Sequence, residues 1–260
     1  MHAHFSSSRL VRLIGGWRNE GAAAPSAPPA PATDGAEALS QWLGAFDAVR
    51  LHAVHQALRQ QPVPARAVPG DATSCQALAL ELQGLRQSLS EAMSAQDITA
   101  EAELRVDLVR AAQDPSPQTQ APFGPYRQLY ADWQRQMENR IAPLRARVRQ
   151  AASRASPALR QLAALDAVLE PTLAAREQRL LAAVPQLLEQ RYDQLREAHL
   201  ARLAAAGLPP DEAAAWRRPG GWLWRFGADW RQALLAELAL RLEPVTGLME
   251  AWSNEVDGTR

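Results

Sequence analysis

Apolar positions along this chain recur at steps of three and four, and no window alternates apolar and polar residues as a half-buried strand does. The clearest stripe is Leu78, Leu82, Leu85, Leu89 and Met93, which is coiled-coil spacing. Thr73 or Ser74 is its expected N-cap, and the pattern is expected to run on raggedly through Leu104 and Leu108. An earlier stripe, Leu39, Leu43, Phe46, Val54 and Leu58, follows Asp34 and Glu37 at capping-box spacing and stops before Pro62. Together these predict a helical hairpin over 37–113.

The longest helical pattern covers 125–206 and carries Leu159, Leu162, Leu165, Leu169, Leu173, Leu180, Val184, Leu187 and Leu195. A straight helix over 157–206 would measure about 75 Å. Pro171 and Pro185 remove backbone donors and crowd the preceding turn, so a bent or segmented rod is expected. Gly207 followed by Pro209 and Pro210 is a helix stop. Beyond a Trp- and Gly-rich stretch, Trp230, Leu234, Leu238 and Leu242 predict a last helix, followed by Pro244 and a final turn or two with Leu248, Met249 and Trp252.

The expected fold is all-α: an elongated helical bundle with coiled-coil-like long helices. A basic arm at 1–18 hangs on an Ala- and Pro-rich tether at 19–36, too poor in apolar residues to pack a core. The hairpin, a linker at 114–124, the long segment at 125–206, a second linker at 207–221 and a C-terminal helical segment at 222–254 complete the order.

Composition narrows the chemistry. Lys+Arg and Asp+Glu both number 28, so no global field draws the chain onto nucleic acid or anionic lipid. Every one of those cations is arginine, which excludes a Walker A loop, a Schiff-base lysine and a serine–lysine dyad. A single cysteine, Cys75, permits neither an internal disulfide nor a multi-cysteine zinc site, and with no apolar run long enough to span a bilayer the expectation is a cytoplasmic protein. His52 and His55 are three apart but have no third ligand at metal spacing, so neither metal nor cofactor is expected. No phosphate loop, nucleophile elbow or deaminase signature is present, and the expectation is a non-enzymatic chain.

Three stretches are candidates for binding. The arm sets Leu10, Leu13 and Ile14 on one helical face with Arg9 and Arg12 elsewhere, as a docking peptide that orders on binding would. Trp222, Trp224 and Trp230 lie close to Arg225, the residue types of interface hot spots. Arg140, Arg145, Arg147, Arg149 and Arg154 fall in a span with no carboxylate between Glu138 and Asp166, an alternative site for DNA.

Several segments together resemble a proteobacterial all-helical family of unknown function: FSSSRLVRLI, APLRARVRQA, SPALRQLAALDAVLE, REQRLLAAVPQLLEQRYDQLR and ALLAELALRLEPVTGLMEA. The resemblance spans most of the chain and is weakest over 19–124. It implies an accessory component of a system similar to type III Zorya anti-phage defence. The partners so implied are a stator-like inner-membrane motor and a second helical accessory protein, with self-association a further expectation. The chain would then sit in the cytoplasm, peripheral to the inner membrane through its partner.

Overall fold

The computed structural model describes residues 9–20, 56, 72–102, 123–209 and 211–258, and every regular element among them is a helix. The helices are α1 (Arg9–Glu20), α2 (Ala72–Ala95), α3 (Gly124–Ala155), α4 (Pro157–Leu181), α5 (Val184–Ala205), α6 (Ala213–Arg217) and α7 (Trp222–Gly258). A further helical stretch occupies 98–102.

α7 is the axis of the molecule, and each of the other six helices packs against it. The reason lies in its sequence. Leu223, Phe226, Trp230, Leu234, Leu238, Leu242, Val245, Met249 and Trp252 return at steps of three and four and are all buried, so α7 presents an apolar wall along its whole length. α3 answers with Tyr126, Leu129, Tyr130, Trp133, Met137, Ile141, Leu144, Val148 and Ala152. α2 lies across this pair through Leu82, Leu89 and Met93.

The expected last helix begins earlier and runs further than its pattern suggests. It is continuous from Trp222 to Gly258, with Pro244 inside it. Pro244 deprives the Leu240 carbonyl of its donor, yet Leu242 and Val245 on either side are fully buried, and that packing carries the helix through.

The long central block does break, and it turns back rather than extending. Ser156 adopts an extended conformation (φ −154°, ψ 165°), its hydroxyl accepts from the Leu159 amide at 3.1 Å, and Pro157 opens α4. A serine N-cap followed by proline starts a new helix and ends the old one. α4 therefore folds back along α3 as a hairpin. The second break falls at Ala182–Ala183, just ahead of Pro185, while Pro171 is accommodated within α4.

α5 ends in a Schellman motif: Gly207 has φ 64°, the Leu208 amide donates to the Leu203 carbonyl at 2.9 Å, and the Gly207 amide donates to Ala204 at 3.1 Å. Gly221 is demanded by space, since a Cβ there would stand 2.2 Å from the Trp216 carbonyl oxygen.

Two details of α2 differ from expectation. Thr73 and Ser74 fall inside its first turn rather than capping it. The helix stops at Ala95, so the stripe is interrupted at 96–97. Asp97 then restarts it, its carboxylate accepting from the Thr99 amide (3.1 Å), the Thr99 hydroxyl (2.7 Å) and the Ala100 amide (3.2 Å). The Thr99 hydroxyl bond is the main cause holding the Asp97 carboxyl below the ordinary range. Leu104, Leu108, the 19–36 tether beyond Glu20, His52, His55, the 114–122 part of the first linker and the predicted helix before Pro62, Gln56 apart, lie outside the described residues.

Candidate interaction surface

One end of the bundle is built by aromatic rings. Phe123, Tyr126, Tyr192 and Phe226 meet with centroids 5.2–6.2 Å apart, several of them edge to face. Trp222 extends this cluster to Trp216, at 5.1 Å from Tyr192 and 5.6 Å from Trp216. Burial pushes the Tyr192 phenol up to about 12. Trp216 is pinned in turn, its indole N–H donating to Asp211 at 2.7 Å. His199 Nε2 meets the same carboxylate oxygen at 2.8 Å, and the Arg202 guanidinium lies 3.1 Å from His199 Nδ1. The His199 bond, with that of Trp216, holds the Asp211 carboxyl low. Asp211 and Trp216 thus tie the connection to His199 of α5 and Trp222 of α7.

This framework sorts the tryptophans. Trp222 and Trp230 are buried, so they serve the core rather than a partner. Trp224 is 49% exposed on the same helix. Arg225 beside it is exposed, as are Arg202 and Arg218. Leu200 and Leu208, at the end of α5 and just past it, are also exposed. A half-exposed tryptophan followed by an exposed arginine is a surface that gains by being covered.

The arm does not hang free over the residues described. α1 packs on α7 with Leu10 and Trp17 buried and with Leu13 and Ile14 half-buried against the core. Leu10 and Leu13 are thus occupied within the chain, while Arg9 and Arg12 remain exposed and Val11 is 58% exposed.

The arginine-rich span is not one solvated face. Arg145 and Arg149 turn inward onto α4, where Asp166 receives both: Arg145 at 2.5 Å and 3.2 Å, and Arg149 Nε at 2.8 Å. Glu170 takes Arg149 Nη2 at 2.6 Å and Arg145 Nη1 at 3.4 Å. Arg147 pairs with Glu81 on α2, and Arg140 reaches Ser88 at 3.3 Å. Arg154 is exposed at the end of α3. The carboxylates absent from the local sequence are supplied by neighbouring helices.

A second polar feature gives no obvious sign in the sequence. Glu237 is completely buried in α7 and accepts from the Tyr130 hydroxyl at 2.8 Å, Gln134 Nε2 at 3.1 Å and Arg241 Nε at 2.9 Å. Gln134 also donates to the Leu181 carbonyl at 3.2 Å, tying α3, α4 and α7 together at one point. Burial, and next the Glu237 charge, push the Tyr130 phenol well above its ordinary value, so it stays a donor. A buried carboxylate with donors on both oxygens is the arrangement in which burying a charge is tolerated.

The family model for proteins of unknown function, DUF3348, matches residues 1–254. The chain belongs to that family. No curated protein and no solved structure matches it.

Among the described residues of the DUF3348 bundle, α2 borders two open grooves. One, of about 440 Å³, lies between α2 and α7 with Cys75, Leu82, Met249 and Val256 as its apolar lining and Glu250 and Asp257 among its polar residues. Burial, then the Asp257 charge, push the Cys75 thiol up and leave it a poor nucleophile. The other, of about 390 Å³, lies between α2 and α3. Among the described residues no group of three or more His, Cys, Asp or Glu is placed to hold a metal ion, and no helix is long and apolar enough to cross a membrane.

Proposed function

We propose that the chain is a non-enzymatic helical interaction module, and that the aromatic end of the bundle is the surface that meets its partner. Exposed Trp224 carries this reading. A large amphipathic ring standing half out of α7, with exposed Arg225 next to it in the chain, has the composition of a binding hot spot. The strap of His199, Asp211 and Trp216 holds the surrounding connection in place, so little ordering entropy would be lost on binding.

Resemblance to the anti-phage accessory components supplies a context: a cytoplasmic subunit of a membrane-motor defence complex. The partner is then a protein subunit, and the motor reaches the membrane where this chain does not. The DNA-binding alternative is less well supported, because Arg145 and Arg149 are engaged with Asp166 and Glu170.

The test is affinity purification of the tagged chain from its native host, with and without nuclease. Recovery of the same membrane-protein subunits in both samples, lost in Trp224→Ala with Arg225→Glu, is the expected outcome. Recovery of nucleic acid alone, or partner binding indifferent to those substitutions, would remove this surface from the function. On its own, Trp224→Ala should leave stability within about 0.5 kcal/mol, since a half-exposed ring contributes little to the fold.

A further inference from the structure

α4 is attached to the bundle in a manner unlike any of its neighbours. Leu159 and Ala163 at its start and Leu181 at its end are buried. Between them, over 164–180, none of the residues whose burial is described is buried. The inward face of that stretch is instead a row of carboxylates. Asp166 and Glu170 are one turn apart and bind Arg145 and Arg149 of α3. Glu177, two turns further along, lies near Arg241 of α7 and Arg145, and burial raises its carboxyl. The leucines of this stretch, Leu165, Leu169 and Leu173, are only half-buried, and Leu180 is 64% exposed.

Two breaks bound the helix. Ser156 is extended at one end, and the Ala182–Ala183 turn separates it from α5 at the other. Pro171 in its middle removes the donor for the Ala167 carbonyl. A segment with few buried apolar side chains, held by polar contacts between two hinges, is the kind that opens locally below the free energy of global unfolding.

We propose that α4 is a displaceable strap, latched by Asp166 and Glu170, which opens as a unit between Ser156 and Ala183 while α3 and α7 stay folded. Opening uncovers the guanidinium groups of Arg145 and Arg149 without their carboxylates, turning a neutral seam into a cationic one. Stability and exposure of that surface are then set by how firmly two carboxylates hold.

Hydrogen–deuterium exchange on the full-length chain, read by mass spectrometry, tests this directly. In the wild-type protein, amides over 164–180 are expected to exchange at least tenfold faster than those in the middles of α3 and α7. Asp166→Asn with Glu170→Gln should speed α4 by a further tenfold and leave α3 and α7 unchanged. Equal protection of the three helices in the wild-type chain would overturn the proposal, as would a variant in which all three accelerate together. Should the double variant fail to fold, the wild-type gradient decides by itself: present, the strap stands; absent, it falls.

Discussion

α7 and α4 are both long helices with a proline inside, and both touch α3, yet they are held by different physics. Along α7 a large apolar side chain is buried at almost every turn, and its interior charge, Glu237, is surrounded by donors. Along the middle of α4 the inward positions are Asp166, Glu170 and Glu177, and the leucines stand aside. Both helices run on through their proline, Pro244 in α7 and Pro171 in α4, but only around Pro244 does apolar burial, which is non-directional, stand in for the lost backbone bond. Ion pairs must first recover the cost of desolvating both partners, so they fix α4 in place more than they stabilise it.

The largest effect should come from the apolar side of the comparison. Trp230 is fully buried, edge to face with Tyr130 at 5.5 Å, and Trp230→Ala should cost about 3–5 kcal/mol. Urea denaturation followed by circular dichroism would read this as a lower midpoint with an unchanged slope. A loss below about 1 kcal/mol would mean that α7 is not the axis of the bundle.

Next comes the buried charge within that apolar wall. Glu237→Ala strands the Tyr130 hydroxyl, Gln134 and Arg241 without their acceptor and should cost about 3 kcal/mol. Glu237→Gln keeps one acceptor oxygen, enough for Tyr130, but loses the charge and sets an amide donor against Arg241, so about 1–2 kcal/mol is expected. Thermal melts of the two variants should therefore fall in that order. The opposite order would show that Arg241, rather than the whole set of donors, decides the energy of the site.

How much of this contrast the sequence discloses depends on which contacts are local. The apolar stripe of α7 is visible because Trp230, Leu234, Leu238 and Leu242 are periodic in the sequence itself. The hairpin of α3 and α4 is signalled by Ser156–Pro157, a pair whose cap chemistry is local, although the pattern on either side suggests one long rod. The pairing of Arg145 and Arg149 is not visible, since Asp166 and Glu170 lie beyond a chain reversal that charge counting along the span cannot anticipate. Glu237 carries a faint signal, a carboxylate between Ala236 and Leu238 in an otherwise apolar run, but two of its donors, Tyr130 and Gln134, come from positions more than a hundred residues away. Trp222, Trp224 and Trp230 look equivalent in sequence, and only the rotation of α7 against α3 and α5 separates the exposed ring from the buried ones.

A smaller effect is expected from the α4 latch. The side chains of Asp166, Arg145 and Arg149 keep only 13%, 14% and 21% of their surface in solvent, so Asp166→Asn should cost about 1–3 kcal/mol. The solvent-exposed pair of Arg127 with Glu189, which joins α3 to α5, is the control: Glu189→Gln should change stability by less than about 1 kcal/mol. Equal effects in the two variants would erase the distinction between a latch and an ordinary surface ion pair.

The smallest effect is also the one with a sign to check. Burial raises the Glu177 carboxyl in the folded chain above its ordinary value, so the folded state binds that proton more tightly than the unfolded state does. The ionised side chain is then a penalty on folding, fully present above the raised value and lost as the pH falls through it towards the unfolded value of about 4.3. Glu177→Gln removes the penalty and should raise the melting temperature slightly at neutral pH, with the difference closing as the solution is acidified into the glutamate range. Destabilisation at neutral pH would instead mean that Arg145 and Arg241 hold Glu177 as a working ion pair, making the carboxylate row on α4 a three-point latch rather than a two-point one.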